Sequence, residues 1–337
     1  MTPAAASRTP PSKNIAPVAL GGKATAQRGM RMTLPRRSPT RFLVPAAMLA
    51  LWETLSRLGL LDPQFVPGLA DSLAAALDMT RRAFLLTHAM VSLARVALAL
   101  GLALLAGVPL AFSLGHAWPG AFRFLEPLLR VLGQINPYCL FPVFVVVFGL
   151  GEAAKISVLA WVALWPIFFG TLAGLGDLDP VLARAARGMG AGKASVFLKV
   201  AIPAASPSIF AGARTGVQMA FFILIAAEMT GATAGLGWLV HNAGAMFQVP
   251  RIYGAGLVIV ALGLGLNRFL VFLDRGLFFW RASGPGQDGL PRPGPLALAL
   301  ALAAALIVLA IGLIGMARAE SLLNDPSVVP EYRVWTE

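Results

Sequence analysis

The chain has 337 residues, of which 58% are hydrophobic and 12% charged, and its formal net charge is +12. Soluble domains carry about 25% charged residues and disordered chains lack hydrophobicity, so both classes are excluded, as is collagen without a G-X-Y period. A single cysteine, Cys139, excludes an intrachain disulfide and a Cys-rich zinc site, and the scattered His88, His116 and His241 show no metal-ligand spacing.

What remains is an all-α integral membrane protein: a polytopic bundle of about six core transmembrane helices plus one extra C-terminal transmembrane helix. Residues 1–41 are rich in Pro, Ser, Thr, Ala and Arg, have no hydrophobic period, and read as a disordered cytoplasmic N-terminus. Their composition is also that of an organelle transit peptide, but a secretory signal does not fit so long a polar stretch. A span needs roughly 20 mostly apolar residues. Seven stretches meet or approach this: 42–60, 89–114, 128–150, 154–174, 207–229, 253–273 and 296–316. The first carries Glu53 and Arg57, and the third is broken by Pro137 and Pro142. Between the first two, Leu69, Leu73, Leu77, Phe84 and Leu85 predict either an amphipathic helix on the outer surface or a simple packing helix. The domain plan is a disordered 1–41, a transmembrane bundle over 42–281 with a cytoplasmic loop at 177–203, a linker at 282–295, a last helix at 296–316 and an external tail at 317–337.

Orientation follows from Lys and Arg. Residues 1–41 hold eight of them and no acid; with 115–124, 174–205 and 274–295 that side holds 16, against six on the other. The N-terminus is therefore expected in the cytoplasm and the acid-bearing tail outside.

The connection between the fourth and fifth spans is long for a helical bundle. Asp179 is placed to N-cap a helix with Pro180 at its first position. Leu182, Ala185, Ala186 and Met189 form one apolar face. Gly188 and Gly190 stop the helix, and a second short helix at 193–200 is expected to end near Pro203. Such a folded cytoplasmic unit is a docking element. The run Gly188–Ser195 is not a phosphate loop. In G-x-x-x-x-G-K-[ST], with Gly192-Lys193 as the GK pair, the first glycine falls on Arg187 and the hydroxyl on Ala194. No nucleotide binding is expected in this chain.

This loop resembles the EAA motif, E-A-A-x3-G-x9-I-x-L-P, of permease subunits of bacterial ABC importers. Here it reads Arg184-Ala185-Ala186, then Gly190, then Val200-Ala201-Ile202-Pro203, with arginine in place of the usual glutamate. Ser92-Leu93-Ala94-Arg95-Val96, Pro142, Phe148-Gly149-Leu150-Gly151, and Glu228 with Gly235-Leu236-Gly237 resemble the nitrate/sulfonate/taurine-type branch, over about residues 88–281. The resemblance implies a multi-pass bacterial inner-membrane permease that is not itself an enzyme. Its partners are two ATPase subunits, a second permease chain (expected to be a copy of this one) and an extracytoplasmic solute-binding protein, with no nucleic acid. ATP and Mg belong to the ATPase, and no cofactor or metal to this chain. The solute class implied is small and anionic: nitrate, sulfonate, taurine or bicarbonate. Arg184 inverts the docking charge, so an ATPase with an acidic or neutral cleft is expected.

Within the spans, Arg95, Arg214 and Arg268 read as anchors, the last two snorkelling toward the cytoplasm. Glu228 gates, pairs or caps. Gln134, Asn136, Tyr138, Gln218 and Glu228 are the candidates to line a translocation path, with interhelical hydrogen bonding as the plainer alternative. An ion-gradient-driven secondary transporter would show inverted repeats and mid-span acids, and neither stands out. An intramembrane hydrolase would need a nucleophile and base motif, which is not recognisable.

Overall fold

The computed structural model describes residues 43–81, 84–278 and 294–324. The expected disordered segment 1–41, most of the linker 282–295, and tail residues 325–337 lie outside these. The chain divides after Met48: the described part of the first unit, 43–48, opens a helix, and the second unit is the bundle. Every regular element described is helical: α1 (Leu43–Arg57), α2 (Leu69–Arg81), α3 (Phe84–Phe112), α4 (Pro119–Gln134), α5 (Pro137–Phe148), α6 (Glu152–Gly176), α7 (Pro180–Gly188), α8 (Lys193–Val196), α9 (Ile202–Met229), α10 (Leu236–Ala245), α11 (Val249–Leu277) and α12 (Pro295–Asn324).

Five helical stretches among the described residues are long and apolar enough to cross a membrane: Leu85–Gly115, Glu152–Gly176, Ala194–Met229, Val249–Leu277 and Pro295–Arg318. The pair α4–α5 makes a sixth if taken as one span bent by 92°. Two expectations change. Among the described residues the first stretch forms the 15 residues of α1, about 22 Å of helix against a hydrocarbon core of about 30 Å. Its charges are used locally: Glu53 pairs with Arg57 at 2.6 Å and accepts the Ala70 amide at the start of α2. The third stretch starts earlier than expected, at Pro119, and only one of its two prolines marks a break. Asn136 N-caps α5 by accepting the Tyr138 amide, with Pro137 at the first helical position, whereas Pro142 stays inside α5.

The amphipathic segment also differs. Phe84 and Leu85 belong to α3, not to α2. The buried face of α2 is Ser72, Ala76 and Met79, where Gly254 of α11 meets the Ser72 carbonyl, while Leu73 and Leu77 are exposed. Small residues make the protein contact, and the leucines face outward.

The bundle centres on α6 against α9. A side chain added at Gly212 or Gly216 would run into the Pro166 or Ala163 carbonyl of α6, and one at Gly170 or Gly174 into Ser208 or Ala205 of α9. Glycines four apart on both helices let the backbones touch, which is how helices associate when lipid supplies no hydrophobic drive. Ala163, Ile167, Val217, Ala220 and Leu224 fill the core beside this seam. Gly107 of α3 is likewise pressed on Ile167 and Leu164, but Gly101 has open space around it. Replacing Gly212 by Leu is expected to lower stability by at least about 1–3 kcal/mol through overpacking. Gly101→Leu is expected to be silent, and detergent thermal unfolding of the two variants measures the difference.

Candidate functional site: an intramembrane cavity and a buried ion network

The connection 177–203 folds as its residues direct. Asp179 accepts the Val181 amide at 2.7 Å and Pro180 opens α7. Gly190 sits at φ +84°, a conformation that favours glycine. The packed face is Ala183 and Ala186; Val181, Leu182, Arg184, Ala185 and Met189 point outward, Met189 at 83% exposure. Pro203 does not end a helix. The chain passes from α8 through a π-helical turn, Phe197–Ala201, straight into α9, with Pro203 the second residue of α9, directly after that turn. Val200 is half-buried in that turn, and Ile202 and Pro203 begin α9.

At the far end of the bundle lies a largely buried polar cluster, with Glu152 partly exposed. Arg95 of α3 forms a two-point ion pair with Glu152, the first residue of α6, through Nε at 2.6 Å and Nη2 at 2.7 Å. Its Nη1 donates to Glu228 of α9 and to the Ala234 carbonyl, both at 2.7 Å. Lys155 reaches Glu152 at 3.3 Å, so two cations face two carboxylates. The start of α10 is held by side chains. The Gly235 amide donates to His88 Nδ1, Leu236 to Ser92 Oγ and Gly237 to Glu228 Oε2, at 2.8, 3.0 and 2.9 Å. These are the amides a helix N-terminus leaves unpaired. Gly235 has φ +129°, and a Cβ there would overlap Glu228 and Arg95. His88 also stacks on Trp238 of α10, ring centroids 5.1 Å apart.

Between these ends, at the α4–α5 bend, opens a cavity of about 990 Å3 walled by the middle of α6 and α9. Gln134, Asn136 and Gln218 line it, together with Arg130, Thr215, Trp161, Trp165 and Phe169. Tyr138 is exposed but is not part of this wall. Glu228 is not there either: it is wholly buried in the ion network, which removes it from any open passage in this conformation. Arg214, half-buried, reaches across to α11, where Asn267 Oδ1 accepts from its Nε and Nη2 and from Gln218 Nε2. Arg268, by contrast, is exposed. The indole nitrogens of Trp161 and Trp165 are shielded from solvent and have no acceptor, a condition that costs about 1–3 kcal/mol per donor. Arg214, Asn267 and the two tryptophans carry no motif in the sequence, and only the packing of α6, α9 and α11 exposes their relation.

Residues 103–279 match the family described as the binding-protein-dependent transport system inner membrane component. The chain belongs to that family. The permease is 33% identical to the taurine transport system permease protein TauC of Escherichia coli over 71% of its own length and 88% of that protein. It is 27% identical to the putative aliphatic sulfonates transport permease protein SsuC of Bacillus subtilis, over 72% and 88%. It is 31% identical to the nitrate import permease protein NrtB of Synechococcus elongatus, over 55% and 67%. It is thus an ABC transporter permease of the taurine/sulfonate/nitrate type and a multi-pass inner-membrane protein, with ATP hydrolysis on a separate subunit.

Removing one member of the permease's buried ion network leaves the others uncompensated, at about 3–5 kcal/mol. Arg95→Met is expected to lose that much in detergent thermal unfolding. The double variant Arg95→Met/Glu228→Gln should lose less than the sum of the single variants, because the two residues act as one unit. Additive losses would show that they do not.

Proposed function

We propose that this permease forms one half of the pore of an ATP-driven importer for a small anionic solute of the sulfonate, taurine, nitrate or bicarbonate class. Two copies pair in the membrane, and each engages one cytoplasmic ATPase subunit through 177–203. A solute-binding protein delivers the solute on the opposite face. The N-terminus is cytoplasmic, on the strength of the Lys and Arg distribution.

The observation that carries this reading is the outward face of α7. Val181, Leu182 and Met189 are exposed around Arg184 on a helix that is capped at one end and glycine-terminated at the other. An ordered apolar patch in the most basic connection of the chain is suited to a protein surface, not to lipid. Ala185 and Gly190 leave room for close approach. The path from α8 into α9 is one continuous helical stretch, Ala194–Met229, which suits it to carry movement toward the cavity. The anionic solute class follows from the names of the relatives and is consistent with the cavity wall, where Arg130, Gln134, Asn136 and Gln218 are present and no Asp or Glu is.

The test is reconstitution of the permease with its ATPase and binding protein in liposomes, with ATP-dependent uptake of labelled taurine, nitrate and bicarbonate. Uptake of one of them only with ATP and both partners is expected; uptake driven by an ion gradient alone would replace this reading. Met189→Asp is expected to reduce ATPase co-purification at least tenfold by placing a carboxylate in the apolar contact. Arg184→Glu should weaken capture of the native ATPase if its cleft is acidic, and unchanged recovery would remove Arg184 from the contact.

A further inference from the structure

We infer that the cavity at the α4–α5 bend is a selectivity site for the oxyanion group of the solute, lined by the Trp161–Trp165 pair and Gln218 and backed by the charge of Arg214 behind that lining, so that the permease itself discriminates among solutes. This rests on the importer reading above and concerns what the pore wall recognises.

The hydrogen-bonding supply around the cavity is one-sided. Two indole N–H groups from one face of α6 stand without an acceptor. Arg214, half-buried in a spanning helix, has Nε and Nη2 on a neutral amide oxygen, and among the described residues neither its Nη1 nor its charge has a protein partner. Gln218 adds a third donor to the same Asn267 oxygen. One acceptor therefore serves three donors. Arg130 is different, since its guanidinium pairs with Glu126 at 2.7 Å. A guanidinium within a bilayer ordinarily pairs, lies toward water or marks a pathway. Here it reaches the cavity lining through Asn267, whose Oδ1 also accepts from the lining residue Gln218, and no ion pair is made to it among the described residues.

A solute that brings only acceptors and a negative charge complements this wall. Sulfonate, nitrate and carboxylate groups do so. An ammonium meets donors and a positive charge, and a neutral molecule leaves the charge unbalanced. Oxyanions are held best by charged and N–H donors in a site shielded from water. The ring faces of Trp161, Trp165 and Phe169 give the remainder of the solute an apolar wall. The indole nitrogens are shielded in this conformation, with the two rings edge to face at 5.2 Å. Binding thus has to turn at least one indole toward the solute, and tryptophan emission reports the change.

The test uses the permease–ATPase complex in nanodiscs without nucleotide. Methanesulfonate and acetate are titrated against their neutral isosteres, dimethyl sulfone and acetamide, with tryptophan emission as readout. A saturable response to at least one anion, absent with its isostere, is expected. Arg214→Gln should weaken the apparent affinity at least tenfold, and Arg214→Lys, which keeps the charge, should restore part of it. Trp165→Phe should reduce the amplitude. Arg268→Gln, an exposed neighbour, should titrate as the unaltered protein does. Equal responses to anion and isostere, no saturable response to either anion, or an unaltered affinity in Arg214→Gln would overturn the proposal. ATP-driven uptake by the unaltered complex is measured alongside in liposomes with the binding protein present. If uptake proceeds while the titration fails, the cavity is not a selectivity site; if the complex shows no ATP-driven uptake at all, the importer reading fails instead.

Discussion

A single guanidinium organises one end of this protein. Arg95 joins α3 to α6 through Glu152, to α9 through Glu228, and to the turn before α10 through the Ala234 carbonyl. A charge removed from water is tolerable only when it is paired and its hydrogen-bond capacity is nearly filled. That requirement works in reverse as a constraint: with the charge in place, four segments have to meet. The glycines at 235 and 237 follow from it, because the backbone must come within hydrogen-bond reach of Glu228 and Arg95 with no side chain between. The short helix α10 begins where it does because Ser92, His88 and Glu228 accept its first amides.

The same constraint fixes one end of the stretch that carries the pore wall. Glu228 lies at the end of Ala194–Met229, Thr215 and Gln218 stand at its middle, and the α7–α8 unit is attached at its start. The glycine seam with α6 keeps the two helices in backbone contact along the middle. A helix clamped at one end by ions and held along its length by close packing transmits a displacement from the other end with little loss. Close-packed interiors deform poorly and shift as units. The π-helical turn at Phe197–Ala201 is the irregular point on that line, between the docking unit and the clamped part.

Much of this was legible in the sequence. Asp179 with Pro180, and Gly190 after the helix, are local signals whose physics is complete within a few residues, and the structure follows them. The spans were legible because twenty apolar residues in a row have few other fates. Chain breaks and lengths were less so. Pro203 reads as a stop, yet the helix runs on, with a π-helical turn directly before the proline where the regular ladder is already interrupted. Pro142 is tolerated inside α5 while Pro137 next to Asn136 marks the bend. On α2 the leucines at 73 and 77 stand outward while Ser72, Ala76 and Met79 make the protein contact, a division that the spacing of apolar residues alone does not decide. Ser92, Arg95, Glu228 and Gly235-Leu236-Gly237 are visible as separate signatures, but their joining depends on residues more than a hundred positions apart. Arg214 stands out in the sequence as a charge within a span, but its partner Asn267 gives no signal, since a single amide on an apolar helix has no period and no motif.

The last helix, α12, finds its place through the same network. Gly312 and Gly315 press on the Met90 carbonyl, Ala94 and Val91 of α3, and Met316 packs with Val91, Ala94 and Ala234. Ala234 is the residue whose carbonyl accepts from Arg95, and Ala94 is its neighbour in the chain. The rest of α12 is largely exposed, as suits a lipid-facing surface. An ion pair is stronger, and an unpaired member more costly, where polarisable surroundings are kept away. A helix whose glycines bring its backbone against this flank of α3 fills space that lipid or water would otherwise occupy. Its glycines lie on the side that meets α3, and its leucines and isoleucines cover the remainder. The position of those small residues, rather than the hydrophobicity of the whole, sets where α12 docks.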